Sequence, residues 1–255
     1  MNVKGISPRN VTVKGVQGHS VYGCFQKPDG EGPFPAVVFI HGGLGDNREY
    51  TRALLDWSVA KRLLKEGFVV LSTDYRVSLK GEDIVDVVAS FRYTAGLSFV
   101  DENRVAYFGD SHGAYLALMA AIQTTPFALI HGWGVADMAS WYEHIRNIPV
   151  RYYQTVTEDL ERTLGGTPDQ VPKTYTQFSP ISHAAKIKCP VLILHGEKDE
   201  DVPVSHAHLL ADALKRANGT YTLKIFENAG HGLRTPEARK EMDPIVLEFL
   251  KSYLS

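Results

Sequence analysis

The chain has 255 residues, 44% of them hydrophobic, and a formal net charge of −2 at pH 7. So small a net charge gives no electrostatic basis for binding nucleic acid or a membrane surface. The two cysteines, Cys24 and Cys189, match neither a CxxC motif nor a zinc-ligand spacing, so we expect buried, reduced thiols. Because no apolar stretch reaches transmembrane length and the N-terminus lacks a hydrophobic signal region, we expect a soluble, cytoplasmic protein.

Strand and helix signals alternate along the chain. Residues 11–16 and 20–26 predict an opening antiparallel pair, and apolar runs predict six further strands at 36–40, 68–73, 104–108, 127–133, 190–195 and 221–226. Helices are predicted near 50–65, 81–97, 111–122, 205–217 and 236–254. The alternation predicts a single α/β domain over residues 1–255, with a mostly parallel eight-stranded sheet and helices on both faces.

One segment, residues 134–188, is too long for a single crossover helix. We interpret it as a small helical, lid-like insertion that excludes water and shapes the pocket. The alternative is that its aromatic residues only pack the insertion onto the core. The aromatic residues of the segment are Trp141, Tyr142, Tyr152, Tyr153, Tyr175 and Phe178, and Trp133 lies at the end of the strand before it.

Residues 109–113, Gly-Asp-Ser-His-Gly, stand between an apolar strand and an Ala- and Leu-rich helix. A serine at such a turn is held in a tight backbone, with its hydroxyl pointing away from the sheet. Glycines are expected on either side, because a Cβ there would collide with the neighbouring strand or helix. The following helix begins at the serine and favours negative charge there. The pattern predicts a nucleophile, Ser111, against the alternative of a serine in an ordinary turn.

Asp199 and His231 follow later strands. A catalytic triad whose serine lies at a strand-to-helix turn has the chain order Ser, Asp, His, and these residues match it. Asp199 comes after the strand 190–195, and His231 comes after the strand 221–226 between two glycines. Because the C-terminal ends of parallel strands meet at one edge of a sheet, we expect both side chains to lie near Ser111. The predicted roles are orienting acid and general base.

Other acidic and histidine side chains compete for these roles. Asp201 and Glu197 lie in the same loop as the predicted acid, and Asp137 follows an earlier strand. An acidic residue after a strand is often only a helix N-cap. Of the ten histidines, His41, His112 and His195 are expected near the same sheet edge, whereas His206 and His208 are interpreted as residues of a solvated helix. His231 is favoured as the base because it follows the last strand in the required chain order.

A glycine-rich segment, residues 41–45 (His-Gly-Gly-Leu-Gly), follows the apolar strand 36–40. Glycines allow a loop to bend so that its N–H groups face the nucleophile. We expect the N–H groups of Gly43 and His112 to form an oxyanion hole, which stabilises a tetrahedral intermediate by about 3–4 kcal/mol per donor. A phosphate-binding loop is excluded, because no Gly-Lys-Ser/Thr follows.

Four motifs lie at these strand ends: His41-Gly42-Gly43, Gly109-x-Ser111-x-Gly113, His195-Gly196-x-x-Asp199-x-x-Val202-Pro203 and Gly230-His231-Gly232. Together they resemble the catalytic domain of the prolyl oligopeptidase group, with dienelactone hydrolase-like and small carboxylesterase branches as close relatives. The resemblance covers residues 20–255, is strongest over 178–232, and implies the α/β-hydrolase fold. Ala114 stands where many members have a second glycine. No β-propeller sequence precedes the domain, so we expect ester rather than oligopeptide substrates.

These observations predict a serine hydrolase that cleaves carboxylic esters through an acyl-enzyme on Ser111, with a small peptidase as the alternative. The expected partner is a small-molecule ester, and the mechanism requires neither a metal nor an organic cofactor. We expect Leu44, Trp133, Trp141 and Tyr142 to contribute to the substrate pocket. A non-catalytic relative that binds a small ligand is disfavoured because the triad is complete. The oligomeric state is left open.

Overall fold

The computed structural model describes residues 8–15, 18–43, 45–78 and 80–254. Among these residues, eight strands form one sheet in the order β1-β2-β4-β3-β5-β6-β7-β8. β2 pairs antiparallel with β1 and β4, and the other neighbours are parallel. The predicted antiparallel opening and mostly parallel sheet are therefore confirmed. The strands are β1 Arg9–Lys14, β2 Ser20–Gln26, β3 Phe34–Ile40, β4 Val69–Thr73, β5 Val100–Asp110, β6 Leu129–Gly132, β7 Val191–Gly196 and β8 Tyr221–Phe226.

Successive residues of each central strand point to opposite faces of the sheet, and both faces are buried. In β3, Val38 and Ile40 pack on one face, whereas Val37 and Phe39 pack on the other. Helices α3, α4 and α8 cover the first face, and α2 and α9 cover the second. The helices are α1 Arg48–Leu54, α2 Ser58–Lys65, α3 Glu82–Ala95, α4 His112–Ala121, α5 Met138–Ile145, α6 Arg151–Leu164, α7 Pro172–Gln177, α8 Ser205–Arg216 and α9 Pro236–Ser252.

The single helix predicted over 50–65 is wrong, because the chain forms α1 and α2 with a break between them. Trp57 adopts an extended backbone (φ −61°, ψ 145°) and begins α2. Its indole packs edge-on against Phe108, with ring centroids 6.3 Å apart, and tilts against Trp133 at 6.4 Å. The break thus places a large aromatic side chain on the sheet.

The segment 134–188 contains α5, α6, α7 and a 3-10 helix, Pro180–Lys186. Helix α5 contacts α6 and α7, whereas the 3-10 helix contacts α4 and α8. Tyr142 and Tyr175 are buried between these helices and meet edge to face, with ring centroids 5.7 Å apart. The segment therefore has its own small core, and its function as a lid stays a prediction.

Both cysteines are free thiols in the interior. Burial raises the pKa of Cys24 to about 11 and that of Cys189 to about 12. Within the described ranges, we find no helix with both the length and the apolar character needed to cross a bilayer.

Candidate active site

Ser111 lies between β5 and α4, outside the helix predicted to include it. Its backbone (φ 55°, ψ −116°) falls in a region that non-glycine residues rarely adopt. The N–H of Ser111 donates to the Gly132 carbonyl at 2.9 Å, and its carbonyl accepts from Ala114 N–H at 3.0 Å. This strained, doubly anchored turn is the geometry of a nucleophile elbow.

The two glycines that flank the elbow are required by close contacts. A Cβ built at Gly109 would lie 2.3 Å from Ala114 Cα, and one at Gly113 would lie 2.2 Å from the Ile40 carbonyl oxygen. Both contacts are shorter than real Cβ atoms allow. The absence of side chains therefore lets the elbow sit directly against β3 and the start of α4.

The structure brings Ser111, His231 and Asp199 together. Ser111 Oγ lies 2.9 Å from His231 Nε2, and His231 Nδ1 lies 2.9 Å from Asp199 Oδ2. Asp199 follows β7, and His231 follows β8 in a short 3-10 helix. A Cβ built at Gly196 would lie 2.4 Å from the Ala229 carbonyl oxygen, so glycine allows these two loops to approach each other.

The Asp199 carboxylate is buried and fully engaged. One oxygen accepts hydrogen bonds from the N–H groups of Asp201 at 3.0 Å and Val202 at 2.9 Å, and the other lies 3.2 Å from His195 Nε2. Burial alone would raise the pKa of Asp199, but hydrogen bonds from His195 and His231 hold it well below its ordinary value. The carboxylate therefore stays ionised beside the histidine.

The pKa of His231 is shifted in the opposite direction to that of Asp199. Burial alone would lower the pKa of His231, but its hydrogen bond to Asp199 and the negative charges around it raise the value above the ordinary one. Such an imidazole accepts a proton readily from the Ser111 hydroxyl.

The alternative acids occupy other positions. The nearest carboxylate oxygen of Asp201 is 4.0 Å from His231 Nε2, and this carboxylate accepts a hydrogen bond from the Tyr153 hydroxyl. Asp137 caps the N-terminus of α5 by accepting from Ser140 N–H at 2.9 Å, as the N-cap alternative anticipated. Glu197 is exposed to solvent. Hence Asp199 alone among these four orients His231 through Nδ1.

The loop after β3 approaches the elbow. Gly43 has a left-handed backbone (φ 74°), and its carbonyl oxygen lies 2.7 Å from the hydroxyl of buried Tyr75. Gly43 and His112 line the same small cavity as Ser111, and the oxyanion hole that they would form stays a prediction. Leu44, the predicted pocket residue of this loop, lies outside the described residues.

Asp110 is a site residue that the sequence reasoning missed. Its carboxylate, 3% exposed, accepts hydrogen bonds from Trp133 Nε1, the Tyr50 hydroxyl and Gly42 N–H. An acidic residue at the end of an otherwise apolar strand, directly before the nucleophile, is the signal that could have identified it.

Two cavities meet at Ser111. The smaller has a volume of about 50 Å³, and the apolar part of its wall consists of Val135, Met138, Trp141, Tyr152, Val156 and Val202. The larger, about 420 Å³, includes His231 and polar side chains, among them Asn47, Tyr50, Asp110, Asp201, Arg234 and Arg239.

Of the predicted pocket residues, Trp141 lines both cavities, and its Nε1 donates to the Asp201 carbonyl at 3.1 Å. Trp133 and Tyr142 do not line either cavity, which corrects the expectation. Trp133 is buried behind Asp110, and the Tyr142 hydroxyl donates to Glu161 at 2.5 Å inside the insertion.

His206, interpreted from the sequence as solvated, is fully buried. Its Nδ1 accepts from the N–H groups of Ala136 at 3.2 Å and Asp137 at 3.4 Å. Burial lowers the pKa of His206 to about 4 and that of His131, also fully buried, to about 3. The solvated interpretation is wrong because this face of α8 packs on the insertion. Within the described part of the chain, no group of three or more His, Cys, Asp or Glu side chains is arranged to hold a metal ion.

A strained serine at the C-terminal edge of a mostly parallel sheet, with a histidine and a carboxylate on neighbouring strand ends, is characteristic of serine hydrolases with the α/β-hydrolase fold. The chain belongs to the prolyl oligopeptidase family (Peptidase_S9), whose sequence profile matches residues 70–255. The matched segment contains Ser111, Asp199 and His231.

Curated relatives include peptidases and an esterase. The chain is 29% identical over 233 aligned positions to the uncharacterized peptidase YtmA of Bacillus subtilis (strain 168), covering 88% of this chain and 86% of that protein. It is 29% identical over 276 aligned positions to dipeptidyl peptidase 8 of Homo sapiens, covering 97% of this chain but 28% of that protein. Identity to esterase LipC of Mycobacterium tuberculosis is 26%, over 78% of this chain and 53% of that protein.

Solved structures share the fold. The puromycin-hydrolyzing peptidase of Mycobacterium tuberculosis superposes with a TM-score of 0.81 at 25% identity, over 97% of this chain and 39% of that one. The acetyl xylan esterase from Paenibacillus sp. R4 gives a TM-score of 0.75 at 21% identity, over 100% of this chain and 86% of that one. The predicted α/β-hydrolase fold is thus confirmed, and the chain spans less than half of the first of these structures.

Proposed function

We propose that the protein is a serine carboxylesterase that forms an acyl-enzyme on Ser111. The observation that carries this proposal is the continuous contact from Ser111 Oγ to His231 Nε2 at 2.9 Å and from His231 Nδ1 to Asp199 at 2.9 Å. At these distances His231 can take the hydroxyl proton as Ser111 attacks the ester carbonyl. Asp199 holds the imidazole in the required tautomer and stabilises the imidazolium.

The negative charge of the tetrahedral intermediate needs donors that are already in place. The N–H groups of Gly43 and His112 are the candidates, since both residues line the small cavity with Ser111. His112 is also the first residue of α4, where the helix dipole favours an anion. After the intermediate collapses, His231 donates its proton to the leaving alcohol, and water cleaves the acyl-enzyme by the same sequence of roles.

The two cavities suggest how an ester would lie. The apolar cavity touches Ser111 and both candidate oxyanion residues but does not include His231, which suits the acyl chain. The larger cavity includes His231, which must protonate the leaving group, and therefore suits the alcohol. Because the apolar cavity measures only about 50 Å³, we expect short acyl chains to be preferred.

A peptidase is the second candidate, and a specific observation favours it. The relative that this chain covers over 86% of its length is named a peptidase, and so is one of the superposed structures. Cleavage of an amide would use the same three side chains, with His231 protonating an amine instead of an alcohol.

The experiment compares p-nitrophenyl acetate, butyrate and octanoate with a panel of aminoacyl-prolyl naphthylamides. Ser111→Ala serves as the inactive variant and Ser182→Ala, at an exposed serine, as the matched control. Rapid cleavage of short esters that depends on Ser111, with little amide cleavage, supports the esterase. Amide cleavage at rates near those for esters would instead assign the peptidase. Undiminished hydrolysis by Ser111→Ala would contradict both.

A further inference from the structure

We propose that Arg234 and Arg239 form a subsite for a carboxylate carried by the leaving group of the substrate, an inference that rests on the proposed function. Both arginines line the larger cavity together with Ser111 and His231. In the described part of the chain, neither guanidinium has a carboxylate within 4 Å. The arginines that do are Arg76, Arg104, Arg146, Arg151 and Arg162.

The two guanidinium groups lie close to other residues that line the same cavity as Ser111 and His231. A Cβ built at Gly232, the residue after the candidate base, would lie 3.2 Å from Arg234 Nε, so the Arg234 side chain folds back over Gly232. Arg239 Cζ lies 5.4 Å from the centroid of the Trp57 ring. Burial raises the pKa of Tyr50, whereas the positive charges of Arg234 and Arg239 both lower it. Both guanidinium groups therefore lie within electrostatic range of the Tyr50 hydroxyl.

The position of the pair identifies which part of the substrate it would bind. A serine hydrolase delivers the proton of its histidine to the leaving group, which must therefore occupy the cavity that contains His231. Arg234 and Arg239 line that cavity, and neither lines the apolar cavity proposed for the acyl chain. A charge bound by the arginines thus belongs to the leaving alcohol or amine.

The carboxylates that line or adjoin the cavity form no ion pair with the two arginines in the described part of the chain. Asp110, on the same cavity wall, already accepts three hydrogen bonds, from Gly42, Tyr50 and Trp133. Asp243, one turn after Arg239 on α9, is 8% exposed and does not line the cavity. Asp201 lines the cavity and is engaged by the Tyr153 hydroxyl. Asp110 and Asp201 balance the two arginines in number, but neither carboxylate lies within 4 Å of a guanidinium group among the described residues. Both guanidinium groups can therefore bind a carboxylate of the substrate, which they do in a bidentate manner.

Two esters that differ only in charge test the subsite. 3-Acetoxybenzoate and 3-acetoxybenzamide carry the same acetyl group on the same kind of phenol, but only the first has a carboxylate. We expect the kcat/KM of the wild type to be at least about tenfold higher for the carboxylate, because charge-assisted hydrogen bonds are among the stronger ones. In Arg234→Gln/Arg239→Gln the ratio of the two kcat/KM values should fall towards one, mainly through KM of the benzoate.

Arg216→Gln, at an exposed arginine at the end of α8, is the control for each single arginine variant, because it removes one positive charge elsewhere and should keep the wild-type ratio. If the double variant fails to fold, two other measurements test the subsite. The single variants should each lower the ratio, and 3-hydroxybenzoate should inhibit the wild type more strongly than 3-hydroxybenzamide does. A wild-type ratio near one, or a ratio unchanged in the arginine variants, overturns the subsite but leaves the esterase. Cleavage of neither ester, or equal cleavage by Ser111→Ala, overturns the proposed function itself.

Discussion

The carboxylate of Asp110 accepts a hydrogen bond from Gly42 N–H at 3.3 Å, across 68 residues of sequence. Asp110 directly precedes Ser111, and Gly42 directly precedes Gly43, so this contact joins the elbow to the loop that carries a candidate oxyanion donor. The same carboxylate accepts from Tyr50 on α1 and from Trp133 after β6. One buried charge thus fixes three segments around the nucleophile.

Asp110→Asn should lower the kcat for p-nitrophenyl acetate by about tenfold to a hundredfold. Gly42 and Tyr50 donate to one carboxylate oxygen and Trp133 donates to the other, so the single oxygen of the amide cannot serve all three. The bonds that remain also lose their charge assistance, which loosens the loop bearing Gly43. Loss of an oxyanion-hole donor costs about 10²–10³ in kcat, and a displaced donor should cost less.

Tyr50→Phe is the matched control for this prediction, because it removes one donor and leaves the contact between Asp110 and Gly42 in place. It should reduce kcat less than Asp110→Asn does. Circular dichroism of both variants separates a change in activity from a loss of fold. Equal kcat values for Asp110→Asn and the wild type would contradict the anchoring role.

The sequence predicts the arrangement of Ser111, Asp199 and His231 because each residue follows the end of a strand, and parallel strands bring their C-terminal ends to one edge. The sequence also predicts the role of the two glycines that flank Ser111. Gly109 and Gly113 sit where any Cβ would strike neighbouring backbone, so the local chemistry dictates the residue type.

The sequence does not predict features that depend on contacts between residues far apart in the chain. Trp57 breaks the helix predicted over 50–65 because it packs on Phe108 and Trp133. The sequence around Trp57 does not predict these contacts, because both partners are distant in the chain. The helical segment predicts a solvated His206, yet its Nδ1 accepts hydrogen bonds from the N–H groups of residues about 70 positions away. The partners of Asp110 are likewise spread over three segments, so its role emerges only in the folded chain.

The pH dependence of hydrolysis should report His231. Its pKa is raised, because the hydrogen bond and charge of Asp199 outweigh the opposing effect of burial. Since the neutral imidazole is the active form, kcat/KM should rise with pH through a midpoint above about 6.5, the ordinary histidine value. Asp201→Asn removes a second charge that raises this pKa, 4.0 Å from Nε2, and should move the midpoint to lower pH.

Glu197→Gln, at an exposed position in the same loop, is the matched control and should leave the midpoint where it is. The measurement is the pH profile of kcat/KM for p-nitrophenyl acetate between pH 5 and 9. A midpoint that moves upward in Asp201→Asn would contradict the electrostatic assignment.

Stability should decline in acid because of His131. This side chain is fully buried, and burial lowers its pKa to about 3. The unfolded chain binds a proton below about 6.5, whereas the folded chain does not until near pH 3. The contribution of neutral His131 is therefore complete above about pH 6.5 and is lost as pH falls, by about 1.4 kcal/mol per pH unit.

His131→Phe removes this titration. The drop in the free energy of unfolding between pH 7.5 and 5.0, measured with urea, should be smaller than in the wild type by about 2 kcal/mol. His208→Phe, at an exposed histidine of α8, should keep the wild-type drop. Identical drops in His131→Phe and the wild type would mean that His131 does not control acid stability.

The small apolar cavity should set the preferred acyl length through Val156. This residue of α6 is 4% exposed and lines the cavity of about 50 Å³ beside Ser111. Val156→Ala removes two methyl groups from the wall, and one methylene in an apolar pocket is worth about 1–3 kcal/mol. The ratio of kcat/KM for p-nitrophenyl hexanoate over acetate should therefore rise by about tenfold. Val150→Ala, exposed just before α6, should leave the ratio unchanged. An unchanged ratio in Val156→Ala would place the acyl chain outside this cavity.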